Sequence, residues 1–184
     1  GVAVVVADAD LLTFIETSDA GFTRRHTPTC DEPVSVASLG GTDVAVACRS
    51  GTIALHLRSG RVDTELARGS QPVSIVSTGT QLAVALNGTS QVAFLSKTGA
   101  LTGVIPIDDP SGLAVTPDGG VLVGRLRSIA DGGLLTWLST TNSTQQTALA
   151  IDPQASADTE IGGIPNLLAH LADDLVRPRG LHPE

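Results

Sequence analysis

The sequence predicts an all-β protein: a β-propeller of about four four-stranded antiparallel blades, either a small closed ring or a fragment of a larger one. Three observations carry that expectation. Pro33, Pro72 and Pro110 each open a short apolar run that turns and returns as a second one, and they stand 39 and 38 residues apart. A fixed period near 40, with four short strands to the unit, is what propeller blades need. Next, turn-forming clusters such as Gly40-Gly41-Thr42, Thr78-Gly79-Thr80 and Pro117-Asp118-Gly119-Gly120 separate the runs, which is hairpin punctuation. Finally, Met and Tyr are absent and the aromatics are only Phe14, Phe22, Phe94 and Trp137, so Val, Leu, Ile and Ala must fill the core. Such a core suits closely stacked sheets better than an aromatic-lined cavity.

Four units follow in order, at about 1–31, 32–70, 71–108 and 109–151. The first reads as three strands, near 2–7, 11–16 and 22–26, and lacks a first strand, as if the chain began mid-blade. In the second, strands are expected near 34–38, 43–48, 52–57 and 61–66; Ile53, Leu55 and Leu57 alternate along the third. The third repeats this almost position for position from Pro72. A fourth, from Pro110, carries an insertion around 125–133 before its third strand, which is where repeat proteins vary. Residues 152–184 admit two readings. Leu167, Leu168, Leu171 and Leu175 fall on one helical stripe, but Pro165 could equally open a fifth unit. The second reading is favoured, because a strand from the tail would complete the deficient first blade and cover its edge.

Composition excludes several partners. A net charge of −8 with a single lysine, Lys97, argues against nucleic acid or an anionic membrane surface, both of which call for clustered cations. The longest apolar runs fall far short of the roughly 20 residues that span a bilayer. No signal sequence is visible at the start, so a leader has been removed or the chain is cut from something longer.

Residues 4–8 (Val-Val-Val-Ala-Asp), 12–16 (Leu-Thr-Phe-Ile-Glu) and 110–119 (Pro-Ser-Gly-Leu-Ala-Val-Thr-Pro-Asp-Gly) resemble the repeats of bacterial YVTN-type propellers, the YncE-like and broadly NHL-like group. The resemblance covers roughly residues 2–151. A second likeness, at 158–168, is to segments of secreted bacterial propellers that accompany a c-type cytochrome or di-haem peroxidase-like module. It implies a redox association, with haem on sequence outside this chain, because no Cys-x-x-Cys-His attachment site is present. Propellers of this group have about seven blades, which makes four units a fragment or an unusually small ring.

Cys30 and Cys48 are the candidate disulfide. A hairpin centred on Gly40-Gly41 places Cys48 beside Pro33, within a few residues of Cys30, which is bridging range if the side chains point alike; two unpaired thiols are the alternative. The bridge would suit an oxidising compartment, periplasmic or extracellular. Candidate ligand-face residues end the second strands, Asp8, Arg49, Asn87 and Arg125, joined by Asp109 before a first strand. They would form a polar ring at one end of the blades, or simply pair locally, Arg49 with Glu32 and Arg125 with Asp109. His56, between Leu55 and Leu57, reads as a solvated strand residue. No histidine has metal-ligand spacing, and no nucleophile, base and orienting acid can be assembled. The sequence therefore favours a non-catalytic extracytoplasmic binding or scaffold module that presents one face to a protein or small molecule and needs no cofactor of its own. The alternative is an axial-site enzyme, of lactonase-like hydrolase or quinoprotein-like oxidoreductase type.

Overall fold

A computed structural model describes residues 1–19, 21–125, 135–139 and 146–149. Among these, every regular element apart from two single-turn 3₁₀ segments is a β-strand, and the strands form four antiparallel sheets. Blade 1 holds β1 (Val2–Val6), β2 (Leu11–Ser18) and β3 (Gly21–Pro28). Blade 2 holds β4 (Pro33–Gly40), β5 (Asp43–Cys48), β6 (Thr52–Leu57) and β7 (Gly60–Glu65). Blade 3 comprises β8 (Pro72–Ser77), β9 (Gln81–Leu86), β10 (Gln91–Ser96) and β11 (Leu101–Pro106). Blade 4 comprises β12 (Pro110–Val115), β13 (Val121–Arg125), β14 (Leu135–Leu138) and β15 (Gln146–Leu149). Strands within each blade pair in chain order, and the first strands touch one another from blade to blade, β4 with β8 and β8 with β12. The architecture is that of a β-propeller. Readings that concern the tail lie outside the described residues.

Alternation along the second strand shows why the repeat stacks. In β9, Leu82, Val84 and Leu86 face blade 2, whereas Ala83 and Ala85 face blade 4. In β5, Val44 and Val46 face blade 1 and Ala45 and Ala47 face blade 3. Branched residues thus fill the space toward the preceding blade, and alanines leave room for the next blade's first strand, which inserts Ile75 or Leu113. Large against small across a sheet interface is how dense packing is reached without strain.

Blade 1 follows the same rule with one layer missing. Ala3 and Val5 pack toward blade 2, while Val2, Val4 and Val6 remain 61%, 41% and 40% exposed on the face that a preceding blade would cover. Because β1 touches β4 as β5 touches β8, it occupies the second-strand place. Among the described residues no strand pairs with its other edge.

Two serines join the blades across the first strands. The amide of Ile75 donates to Ser35 Oγ and that of Leu113 to Ser74 Oγ, each at 3.2 Å. A first strand is a sheet edge with unpaired amides, so each hydroxyl satisfies a donor that the sheet cannot. Gly112 takes this position in blade 4, where the device stops. Replacing Ser74 by Ala leaves the Leu113 amide without its partner and is expected to cost about 1–2 kcal/mol, measured as a lower urea midpoint at unchanged m-value. At the β12–β13 turn, Asp118 accepts from the Thr116 hydroxyl and the Gly120 amide; the Thr116 bond first, then the amide, hold its carboxyl below the usual range.

Candidate functional site

At one end of the blades, here the connector end, the links between blades enter the first strands and the second strands turn into the third. The chain makes the same unusual move there three times. Glu32, Gln71 and Asp109, each preceding the strand-opening proline, have φ of 53°, 46° and 46°. A proline disfavours the right-handed helical region for the residue before it, and a left-handed non-glycine residue is uncommon. What holds it is the hydrogen bonding: the Glu32 carbonyl accepts from Arg49 N–H at 2.9 Å and the Gln71 carbonyl from Asn87 N–H at 3.2 Å. The proline itself then pairs with the end of the second strand, followed by a bulge in β4, β8 and β12 alike. Side chains of Glu32 and Gln71 are consequently turned out at the mouth of their blades, and both are exposed.

The structure brings the ring residues to this end but not into one register. Arg49 and Asn87 both sit one place past the residue paired with the opening proline. Arg125 sits directly opposite Pro110, where Cys48 and Leu86 stand in their blades. Equal spacing of 38 conceals this, because the core valines Val84 and Val123 are 39 apart. Asp8 is displaced the other way. β1 ends at Val6, and Asp8 lies in the middle of a 3₁₀ turn, in the position of Gly88.

Their partners differ as well. Arg125, 11% exposed, pairs with Asp108 at 3.0 Å and also donates through Nε to the Asp108 carbonyl, so local pairing is realised with Asp108. Asn87 Nδ2 donates to the Pro110 carbonyl at 3.3 Å and ties blade 3 to blade 4. Asp10 accepts from the Glu32 amide at 2.8 Å, linking the first turn of blade 1 to the mouth of blade 2. Arg49 is exposed, and its guanidinium has no hydrogen bond or ion pair among the described residues. Asp109 is half-buried at the mouth of blade 4.

Cys30 and Cys48 form a disulfide with Cα atoms 6.0 Å apart. Both are buried, and they pin the connector between β3 and β4 to the end of β5. A buried bridge of this kind is at home in an oxidising compartment. Among the described residues no three His, Cys, Asp or Glu converge as a metal-binding group, and no helix is long and apolar enough to cross a membrane.

His56 departs from its expected place in solvent. It faces blade 1, half-buried, with Nε2 3.0 Å from Thr29 Oγ1. Burial first, then the charges of Arg61 and Arg25, lower its pKa, while Asp63 opposes them. Alternation with Leu55 could not reveal this, since blade 2 is covered on both faces, by blade 1 and by blade 3. Its register mates Ile15, Leu95 and Leu138 were the available signal.

No protein-family description and no curated protein matches the chain. Solved structures do match. A streptogramin B lyase is 20% identical, with a TM-score of 0.63 over 81% of this chain and 51% of that one. Virginiamycin B lyase from Staphylococcus aureus is 18% identical, with a TM-score of 0.63 over 81% of this chain and 52% of that one. A candidate 6-phosphogluconolactonase from Bacteroides uniformis is 16% identical, with a TM-score of 0.59 over 84% of this chain and 54% of that one. The chain thus spans about half the length of each. Likeness at this identity establishes the propeller fold and nothing about chemistry.

Proposed function

We propose that the chain is a non-catalytic binding module, periplasmic or secreted, that presents the connector end of its blades to a protein with a basic contact surface. The observation behind this reading is the recurring left-handed residue, Glu32, Gln71 and Asp109, at the mouths of three consecutive blades. Sparsely populated backbone persists only where the surroundings over-determine it, and it gathers at sites of recognition. Charge then selects the partner. Asp8, Asp10, Asp31, Glu32, Glu65, Asp108 and Asp109 stand at this end against Arg49, Arg68 and Arg125, and Arg125 is already paired. An acidic, rigid end steers a basic protein into register. The YVTN-type likeness, with its cytochrome-associated segment, is consistent with a redox protein in that role, any haem being carried outside this chain.

The test is the association rate of a basic c-type cytochrome with the immobilised chain at low and at physiological ionic strength. Replacing Asp31 and Glu32 together by Lys is expected to slow association roughly tenfold at low salt, and Arg49→Glu to quicken it. Binding that ignores salt and both variants rejects the reading. Should no partner bind and the purified chain, supplied with Mg²⁺, open lactones, the axial-enzyme alternative takes its place.

A further inference from the structure

Between blades 1 and 2 the repeat breaks its own packing rule. Where blades 1, 3 and 4 place Ile15, Leu95 and Leu138, blade 2 places His56. The space beside it is a cavity of about 410 Å³, within the size range of small-molecule sites. Its walls include Phe14 and Arg25 from blade 1 and His56, Leu57, Arg58 and Arg61 from blade 2. A neighbouring cavity of about 390 Å³ shares Phe14 and extends toward β1. Departures from an otherwise consistent repeat are where function is expected.

We propose that this cavity binds a small organic anion, a carboxylate or phosphate monoester on a compact apolar body. Arg25 lies over the Phe14 ring, 4.4 Å from its centroid, so stacking orients the guanidinium plane and leaves its N–H edge available. Arg58 lies across the β4–β5 turn, where its Nε donates to Thr42 Oγ1 at 3.3 Å. Neither guanidinium meets a carboxylate among the described residues. Arg61 is paired with Asp63 at 2.7 Å, and the acid in the wall, Asp43, accepts from the Arg58 amide at 2.9 Å. Two planar forks with no carboxylate paired to them among the described residues thus share one groove with the Asp43 carboxylate, in a chain of net charge −8. Such forks match the bidentate geometry of carboxylate and phosphate, and Phe14, packed at the seam between blades 1 and 2, supplies an apolar wall for the body.

His56 offers an independent readout. The charged groups around it are Arg25, Arg58 and Arg61 with Asp43 and Asp63, and an anion among them would favour its imidazolium form.

The experiment is a calorimetric titration of the full chain with phenyl phosphate and, separately, benzoate, repeated by NMR on the His56 ring protons. Saturable binding of at least one is expected, the tighter naming the headgroup, with phenol inert and His56 titrating at higher pH in the complex. Arg25→Gln and Arg58→Gln, both at exposed positions, should each weaken binding about tenfold, the worth of a charged hydrogen bond. Arg24→Gln removes the same charge from the same strand, but Arg24 stacks on Phe22 instead, and affinity should not change. The proposal is overturned by non-saturating titrations, by Arg24→Gln weakening binding as much as Arg25→Gln, or by an unmoved His56. None of these outcomes bears on the connector end, which lies at the opposite end of the blades.

Discussion

Removing the Cys30–Cys48 bridge, as the Cys30→Ser, Cys48→Ser double variant, is expected to lower stability by about 3 kcal/mol. The bridge closes a loop with a sequence separation of 18, and the chain-entropy model assigns about that value to constraining such a loop in the unfolded state. For a chain of this size the loss corresponds to roughly 6–12 °C in Tm. The effect should be unevenly distributed. Cys30 lies in the connector that carries the chain from β3 to β4, and blade 1 rests on blade 2 through a small cluster that includes Cys30, Cys48, Leu12 and Val46. Blade 1 also has an exposed valine face, so it has the least to hold it once the connector is released. Hydrogen exchange should therefore accelerate in β1–β3 well before blades 2 and 3 respond. A calorimetric shift below about 1 °C, or uniform acceleration across blades, would show that blade 1 is held by packing alone. The intact protein should contain no reactive thiol.

Gly88→Ala is expected to cost about 2–3 kcal/mol, at the upper end of what overpacking does. The connector into blade 3 passes directly over this turn: Gly88 N–H donates to the Ser70 carbonyl at 3.0 Å and Asn87 N–H to the Gln71 carbonyl. A β-carbon at position 88 would overlap the Gly69 carbonyl oxygen and stand 3.0 Å from Gln71 Cγ. The obstacle is backbone on backbone, so no rotamer relieves it, and the left-handed residue Gln71 that the connector supports would shift too. Asp8 occupies the matching turn position in blade 1, where β1 is already the second strand and no described connector passes over it. Gly103→Ala is the control. Nothing stands within 4 Å of a β-carbon there, and the change should be neutral or slightly stabilising through the unfolded chain. Urea unfolding of the two variants side by side would decide it; equal midpoints would mean that the connector yields freely.

Period, turn chemistry and the Pro-opened hairpins were enough to predict a stack of four-stranded blades, because each is a local property of a few consecutive residues. The disulfide was legible as a neighbourhood: a hairpin turning at 40–41 puts 33 opposite 48, and the structure reaches that pairing with its turn at 41–42 and a bulge near each end of β4. The candidate ring was legible as a place but not as a geometry. A spacing of 38 cannot show that Arg125 pairs opposite Pro110 while Arg49 and Asn87 lie one step beyond, since that depends on bulges and on where the core valines settle.

From its residues alone this protein determined the strands, their turns and the pairing of its cysteines, all set by contacts close in sequence. Tertiary structure alone decided which charges meet and what His56 faces. In a propeller both faces of every sheet are buried between neighbours, so alternation along a strand distinguishes one blade from the next rather than core from solvent. A histidine turned away from Leu55 therefore points into the seam with blade 1, toward Arg25 and the Phe14 wall, which come from a strand pair some thirty to forty residues earlier.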